Sequence, residues 1–423
     1  MKNLIVDVLI IGAGPAGALA AALLQRANIA PLVVERQIFP RFVIGESLLP
    51  SSMAVLQNAG LLEAVAARGF LRKQGAVFLR GHEQCQFDFA DQFGAGWNYA
   101  YQVPRADFDQ TLIDTVARRG VDVRFQHSVT AVNFSPERAM ATVEHNGEPF
   151  TVQARFILDC SGYGRVLPRL LDLEVPSSQP VRTALFTHVT GDRRPPGREE
   201  GKIWICLHPG GAWIWIIPFS NGRTSVGVVA APEFFLRFPG EADAQLRAIL
   251  LSEPNAARRL GAMEFQMPAR QITGYACAVK KLFGERFALA GNASEFLDPV
   301  FSSGVSLALA SAERAAQLLI RQWGGEAVDW SQDYAGFLMQ GVKTFRSYIN
   351  GWYDGTVPEI FFAANRDPAI MRQICSVLAG HVWDTSNPYV QQADRALATL
   401  ARLLARRRPA NGAEPVGPVS PPV

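Results

Sequence analysis

The stretch that most constrains this chain lies near its start. Leu4 to Ile11 is an apolar run rich in β-branched residues, and Gly12-Ala13-Gly14-Pro15-Ala16-Gly17 follows it at once. Such a run predicts a parallel strand covered on both faces. An alanine-rich segment to about Gln25 predicts a helix, and Pro31 to Val34 a second strand that ends at Glu35. The first glycine makes a tight turn, the second lets the backbone approach a pyrophosphate, and the third lets helix pack on strand. The helix start offers free N–H groups and a positive dipole end to phosphates. Glu35 stands where an acid accepts ribose hydroxyls. The pattern predicts an α/β, Rossmann-like domain that holds an adenine dinucleotide.

A chain of 423 residues has room for two or three packed units, and 48% hydrophobic residues with 26 Phe and 8 Trp can fill their cores. The net charge of +3 is spread without a basic stripe, which excludes a nucleic-acid binder. Cys85, Cys160, Cys206, Cys277 and Cys375 are scattered, with no metal or disulfide spacing. Reduced thiols in the cytoplasm are the expectation. The apolar stretch Val8 to Leu24 is broken by three glycines and Pro15, so no membrane span or signal peptide is expected.

Residues 1–75, 100–180 and 280–329 are read as a discontinuous cofactor domain, a parallel sheet with a β-meander. Residues 76–99 and 181–279 are read as an antiparallel-sheet substrate domain, 330–405 as a helical C-terminal lid, and 406–423 as a disordered tail. Val121–Phe134, Met140–His145 and Phe150–Val152 form the expected meander, with Asn146-Gly147 as a hairpin turn. Phe156–Asp159 is a further buried strand. Lys202–His208, Trp213–Phe219 and Arg223–Val229 read as an antiparallel meander, and Glu241–Arg259 as helix.

Several side chains carry chemistry beside plainer readings. Trp213-Ile214-Trp215-Ile216-Ile217-Pro218 reads as a half-buried strand with both indoles on one face. Alone, the pair is sheet core. Glu46 and Ser47, beside Gly45, suit a cofactor edge or a helix cap. Lys73 lies at a helix-to-strand junction, where a lysine is ordinarily a solvated charge. Arg105 can pair with a cofactor phosphate, or with Asp107 or Asp109. After the strand Phe287–Asn292, Phe296-Leu297-Asp298-Pro299-Val300-Phe301-Ser302-Ser303-Gly304 opens a helix whose free N–H groups suit the polar edge of a cofactor ring, a halide, or only their own caps.

Together these motifs resemble the flavin-dependent halogenases of the FAD-dependent monooxygenase superfamily, over most of the chain. Gly12-x-Gly14-x-x-Gly17 is shared with all flavin monooxygenases of that fold. Trp213-x-Trp215-x-Ile217-Pro218 and Phe296-x-Asp298-Pro299-x-x-Ser302-x-Gly304 are far more specific to the halogenases. Lys73 lies beyond Gly45-Glu46-Ser47, where that family has its catalytic lysine. Chain length and the C-terminal helical part are closer to the phenol and pyrrole enzymes than to the tryptophan ones.

The resemblance implies FAD on Gly12, Ala13, Gly14, Pro15, Ala16, Gly17, Glu35 and Arg36. It adds Ile44, Ser47, Arg105, Asn292, Pro299, Gly304 and Val305. It implies chloride or bromide near the backbone of Ser303 and Gly304, and Trp213, Trp215 and Pro218 as tunnel and barrier. FADH2 comes from a separate reductase, O2 gives a flavin hydroperoxide, and hypohalous acid travels to Lys73. The substrate implied is an electron-rich aromatic, a phenol or pyrrole, free or tethered to a carrier protein. Two departures stand out: Asn292 follows Gly291 where the family has aspartate, and Phe301 occupies the position of the acid that assists lysine in tryptophan halogenases. The rivals are a flavin hydroxylase or prenyl reductase of the same fold, and a flavin-binding descendant without chemistry.

Overall fold

The computed structural model describes residues 3–406. The stretch read as a tail lies outside the described residues, apart from Arg406, which ends the helix Ala393–Arg406. Asn3–Ile11 lies inside an eight-stranded sheet, pairing in parallel with Pro31–Glu35 on one side and Glu148–Asp159 on the other. All of Pro31–Glu35 is buried, as cover on both faces requires. The helix Pro15–Arg26 packs its small residues on the long helix Ser303–Trp323.

Two expected strand boundaries are corrected. Val121–Phe134 is two strands: Asp122–Phe125 joins the parallel sheet beside Pro31–Glu35, and Ser128–Phe134 begins afresh after Gln126 turns the chain at φ 60°. Phe150–Val152 and Phe156–Asp159 are instead parts of one strand of 12 residues, Glu148–Asp159. Gln153 and Arg155 look like a break in the sequence. They alternate with buried Val152, Ala154 and Phe156, so the ladder runs on through them.

The second eight-stranded sheet carries the tryptophans. Thr183–Thr190, Thr224–Ala230, Ala212–Pro218 and Lys202–His208 follow one another antiparallel. Gly75–Arg80 then adds in parallel, with Gly75 opposite Lys202, so the expected antiparallel sheet is mixed. The strand Ala212–Pro218 is buried along its whole length rather than half-buried. Trp213, Trp215 and Ile217 face the main core, and Ile214 and Ile216 face a second core under two helices. Those helices, Ala242–Ser252 and Pro254–Leu260, replace the single one expected. Glu253 breaks it and caps the second by accepting from the Ala256 N–H.

The main core runs from Val8 and Ile10 through both tryptophans to Tyr348 and Leu397, so all three regions of the chain contribute to it. No helix among the described residues is long and apolar enough to cross a membrane.

Candidate active site

The glycine turn is tight enough to exclude other residues at two positions. Gly12 has φ +102°, and a Cβ there would stand 2.5 Å from the Cys160 carbonyl oxygen; one on Gly17 would stand 1.9 Å from that of Gly12. Glu35 braces the turn. Its carboxylate accepts from the Ala13 N–H at 3.0 Å and the Gln37 N–H at 2.9 Å, leaving lone pairs for a ligand.

A cavity of about 520 Å³ opens from this turn. Gly14, Pro15, Ala16, Glu35 and Arg36 line it, with Ile44, Ser47 and Arg105 from the following loop and helix. Asn292, Pro299, Gly304 and Val305 also line it, and the second sheet contributes Phe186, Trp213, Trp215 and Ile217. Gly12, Ala13, Gly17, Lys73, Pro218 and Ser303 are not among its lining residues. A backbone cradle, an acid beside it and an apolar sheet face beyond suit a dinucleotide that carries a flat aromatic ring system, as FAD does.

Arg105 meets one of its alternatives. Its guanidinium bonds Asp109 at 2.8 and 3.0 Å and donates to the carbonyls of Ile44 and Gly45 at 3.3 and 3.2 Å. Asp109 holds its guanidinium in place, its N–H groups shape the loop, and it also lines the cavity. Arg41 shares Asp109 through one nitrogen at 3.1 Å, while its other nitrogen lies 3.4 Å from where a Cβ on Gly14 would be. That guanidinium edge is the one over the glycine turn, and nothing in the sequence distinguished Arg41 from its neighbours.

Two distant motifs meet at the helix Ser303–Trp323. Ser302, in the left-handed region at φ 57°, precedes it and donates from Oγ to Ser47 Oγ at 3.1 Å. Just upstream, buried Asp298 accepts from Tyr275 at 2.9 Å, Tyr353 at 2.8 Å and the Val300 N–H at 3.1 Å. Burial pushes its pKa up, against those hydrogen bonds. Asn292 lies nearby, its carbonyl accepting from Arg165 at 3.2 Å.

The indoles are held by different parts of the molecule. Trp215 donates to Ser225 Oγ at 3.0 Å within its own sheet, and Trp213 donates to the Tyr353 hydroxyl at 3.0 Å. Gly227 lies opposite Trp215, where a Cβ would come 2.4 Å from the indole. A glycine inside a strand was the available signal for that close approach.

Lys73 is not at a helix-to-strand junction. Its strand, Leu71–Lys73, pairs with Ala100–Gln102 in a separate two-stranded ladder. The side chain is buried at 1% exposure, donates to the Leu48 carbonyl at 3.2 Å, and holds Nζ 5.4 Å from the centre of the Phe89 ring. Burial alone lowers its pKa to about 7. Phe301 is buried among Phe78, Tyr348 and Trp352.

A family model described as an FAD binding domain matches residues 5–335. A flavin-dependent halogenase of Armillaria mellea is 31% identical over 80% of this chain and 71% of its own. The chain belongs to the flavin-dependent halogenases. It is therefore an oxidoreductase whose cofactor is FAD and whose inorganic substrate is a halide. A 1H-pyrrole-2-carbonyl-(peptidyl-carrier protein) chlorinase of Pseudomonas fluorescens is 28% identical over 89% of each chain. The crystal structure of a flavoprotein/dehydrogenase from Cytophaga hutchinsonii is 48% identical, with a TM-score of 0.93, covering 95% of this chain and 99% of that one.

In this halogenase one further pair escaped sequence reading. Glu46, which lines the cavity, bonds His188 Nε2 at 2.7 Å. The two are more than a hundred residues apart, and no local pattern links them.

Proposed function

We propose that this halogenase transfers chloride or bromide to an electron-rich aromatic ring such as a phenol or pyrrole, free or tethered to a carrier protein. A separate reductase supplies FADH2, and the five free thiols suit a cytoplasmic setting. FADH2, when bound, would supply two of the four electrons that reduce O2 and the halide the other two, which would leave hypohalous acid and water; the acid would then halogenate the ring with loss of a second water. In this reading residues 1–75, 100–180 and 280–329 hold the cofactor, 76–99 and 181–279 the substrate, and 330–405 cover both. Gly12, Ala13 and Gly17 build the cradle, Gly14, Pro15, Ala16 and Arg36 line it, and Glu35 braces it for the ribose. Asn292, Pro299, Gly304 and Val305 take the ring end, and the N–H groups of Ser303 and Gly304 the halide. Trp213 and Trp215 wall the cavity, with Pro218 ending their strand.

Lys73 carries the reading. A buried amine, off the cavity wall but hydrogen-bonded to the residue next to cavity-lining Ser47, can receive the acid away from the cofactor cradle. With its pKa near 7 it serves either as hydrogen-bond donor or as nucleophilic amine. The chlorinase resemblance supports the pyrrole end of the substrate range. The test is an incubation with a flavin reductase, NADH, FAD, O2 and bromide over a panel of free and carrier-bound phenols and pyrroles. Product should show the bromine isotope doublet. Products that gain only oxygen would make the protein a hydroxylase.

A further inference from the structure

We propose that Tyr353 is a positioning residue for the tryptophan wall, and that it acts through the indole N–H of Trp213. The inference rests on the reading of that wall as a barrier. The two indoles are 5.8 Å apart between ring centres, yet their fastenings differ in kind. Trp215 is tied to Ser225 on the adjoining strand, so it moves only with the sheet. Trp213 is tied to a hydroxyl on the helix Phe337–Tyr353, outside the sheet. That hydroxyl donates its own hydrogen bond to Asp298, which also accepts from Tyr275. One buried carboxylate thereby joins the indole, the cavity-lining phenol of Tyr275 and the turn leading to Ser302 and Gly304.

Each link has its proper donor and acceptor: indole N–H to phenol oxygen, phenol O–H to carboxylate. A buried indole N–H left without a partner bears an uncompensated desolvation penalty, so loss of the Tyr353 hydroxyl removes the restraint that holds the ring in this orientation. The guanidinium of Arg182 lies over the Tyr353 ring, 4.1 Å from its centre, and confines the phenol from the other side. The neighbouring Trp352 packs on Phe78 and Phe301, so the same helical turn touches the aromatic cluster and fastens the wall.

The test compares wild type, Trp213→Ala, Trp213→Phe, Tyr353→Phe and the Trp213→Phe/Tyr353→Phe double variant as FAD-loaded protein. The readouts are H2O2 released per FADH2 oxidised, tryptophan emission, and the dissociation constant for FAD as a check on folding. Tyr353→Phe should raise H2O2 severalfold and shift the emission, with FAD affinity kept, and should add nothing in the Trp213→Phe background. If Trp213→Ala leaks and Tyr353→Phe does not, the proposal is overturned while the barrier survives. Equal effects of Tyr353→Phe in both backgrounds overturn it as well. A Trp213→Ala protein that does not leak removes the barrier reading itself.

Discussion

Lys73 donates to the carbonyl of Leu48 at 3.2 Å, and Leu48 directly follows Ser47, which lines the large cavity beside the glycine turn. The lysine and the cavity therefore share a loop without sharing a wall.

Removing the amine should uncouple two things the loop holds together. Lys73→Ala is expected to keep its FAD dissociation constant within about twofold and to lose halogenated product by on the order of 100-fold or more, in keeping with general acid–base contributions. Product by mass spectrometry and FAD titration check it. The wild-type pH profile should show an ionisation near 7, where burial puts this amine. Lys73→Arg, charged throughout, should lack that ionisation.

Burial of Lys73 also has a stability signature. The unfolded chain keeps this proton to about pH 10.5, and the folded chain releases it at about 7. Between those values the unfolded state binds more protons, so stability rises with pH. The penalty is whole below pH 7 and is relieved above 10.5. At about 1.4 kcal/mol per tenfold in proton affinity, its ceiling is roughly 5 kcal/mol. Lys73→Met should therefore stabilise the protein by a few kcal/mol near pH 6 and by much less near pH 10. Denaturant melts at both pH values measure this, and an equal gain at each would refute it.

Glu35 makes two charge-assisted bonds to backbone N–H groups as well as facing the cavity. Replacing it with alanine removes the brace and the proposed ribose acceptor together. At roughly 1.5–3 kcal/mol for a bond to a charged group, FAD affinity should fall at least tenfold. An unchanged affinity in fluorescence titration would rule out the ribose role.

Gly227→Ala tests the wall from behind. Its Cβ would come 2.4 Å from the Trp215 indole, and the opposing Phe186 leaves no room to yield, its own Cβ lying 2.6 Å away. The variant should lose about 1–3 kcal/mol of stability, the usual cost of overpacking, and release more H2O2. A protein with wild-type melting and coupling would show that the indole can move freely.

The fingerprint was legible because its meaning is local: turn, helix and acid follow within a few dozen residues, and geometry leaves few alternatives. Trp213-x-Trp215 was legible as a strand, but not its burial on both faces, since the helices that cover Ile214 and Ile216 come later in the chain. Lys73 read as a surface charge on its residue type alone. Its burial depends on a ladder to Ala100 and a carbonyl at Leu48 that only the fold brings near. Arg41, His188 and Tyr353 were missed for the same reason: each meets its partner across a long span of sequence. Asn292 and Phe301 stood out only against a family pattern. The structure places the former on the cavity and the latter among aromatic rings.

The pairing of Gly75 with Lys202 has a consequence for biogenesis. The ribosome releases Gly75–Arg80 long before the strand it joins, so its outer edge waits unpaired while more than a hundred further residues are made. Closing so distant a contact is slow. An exposed edge in that interval invites pairing with other chains. Low-temperature synthesis or chaperone supply should therefore raise the yield of this halogenase more than any change at its cofactor site.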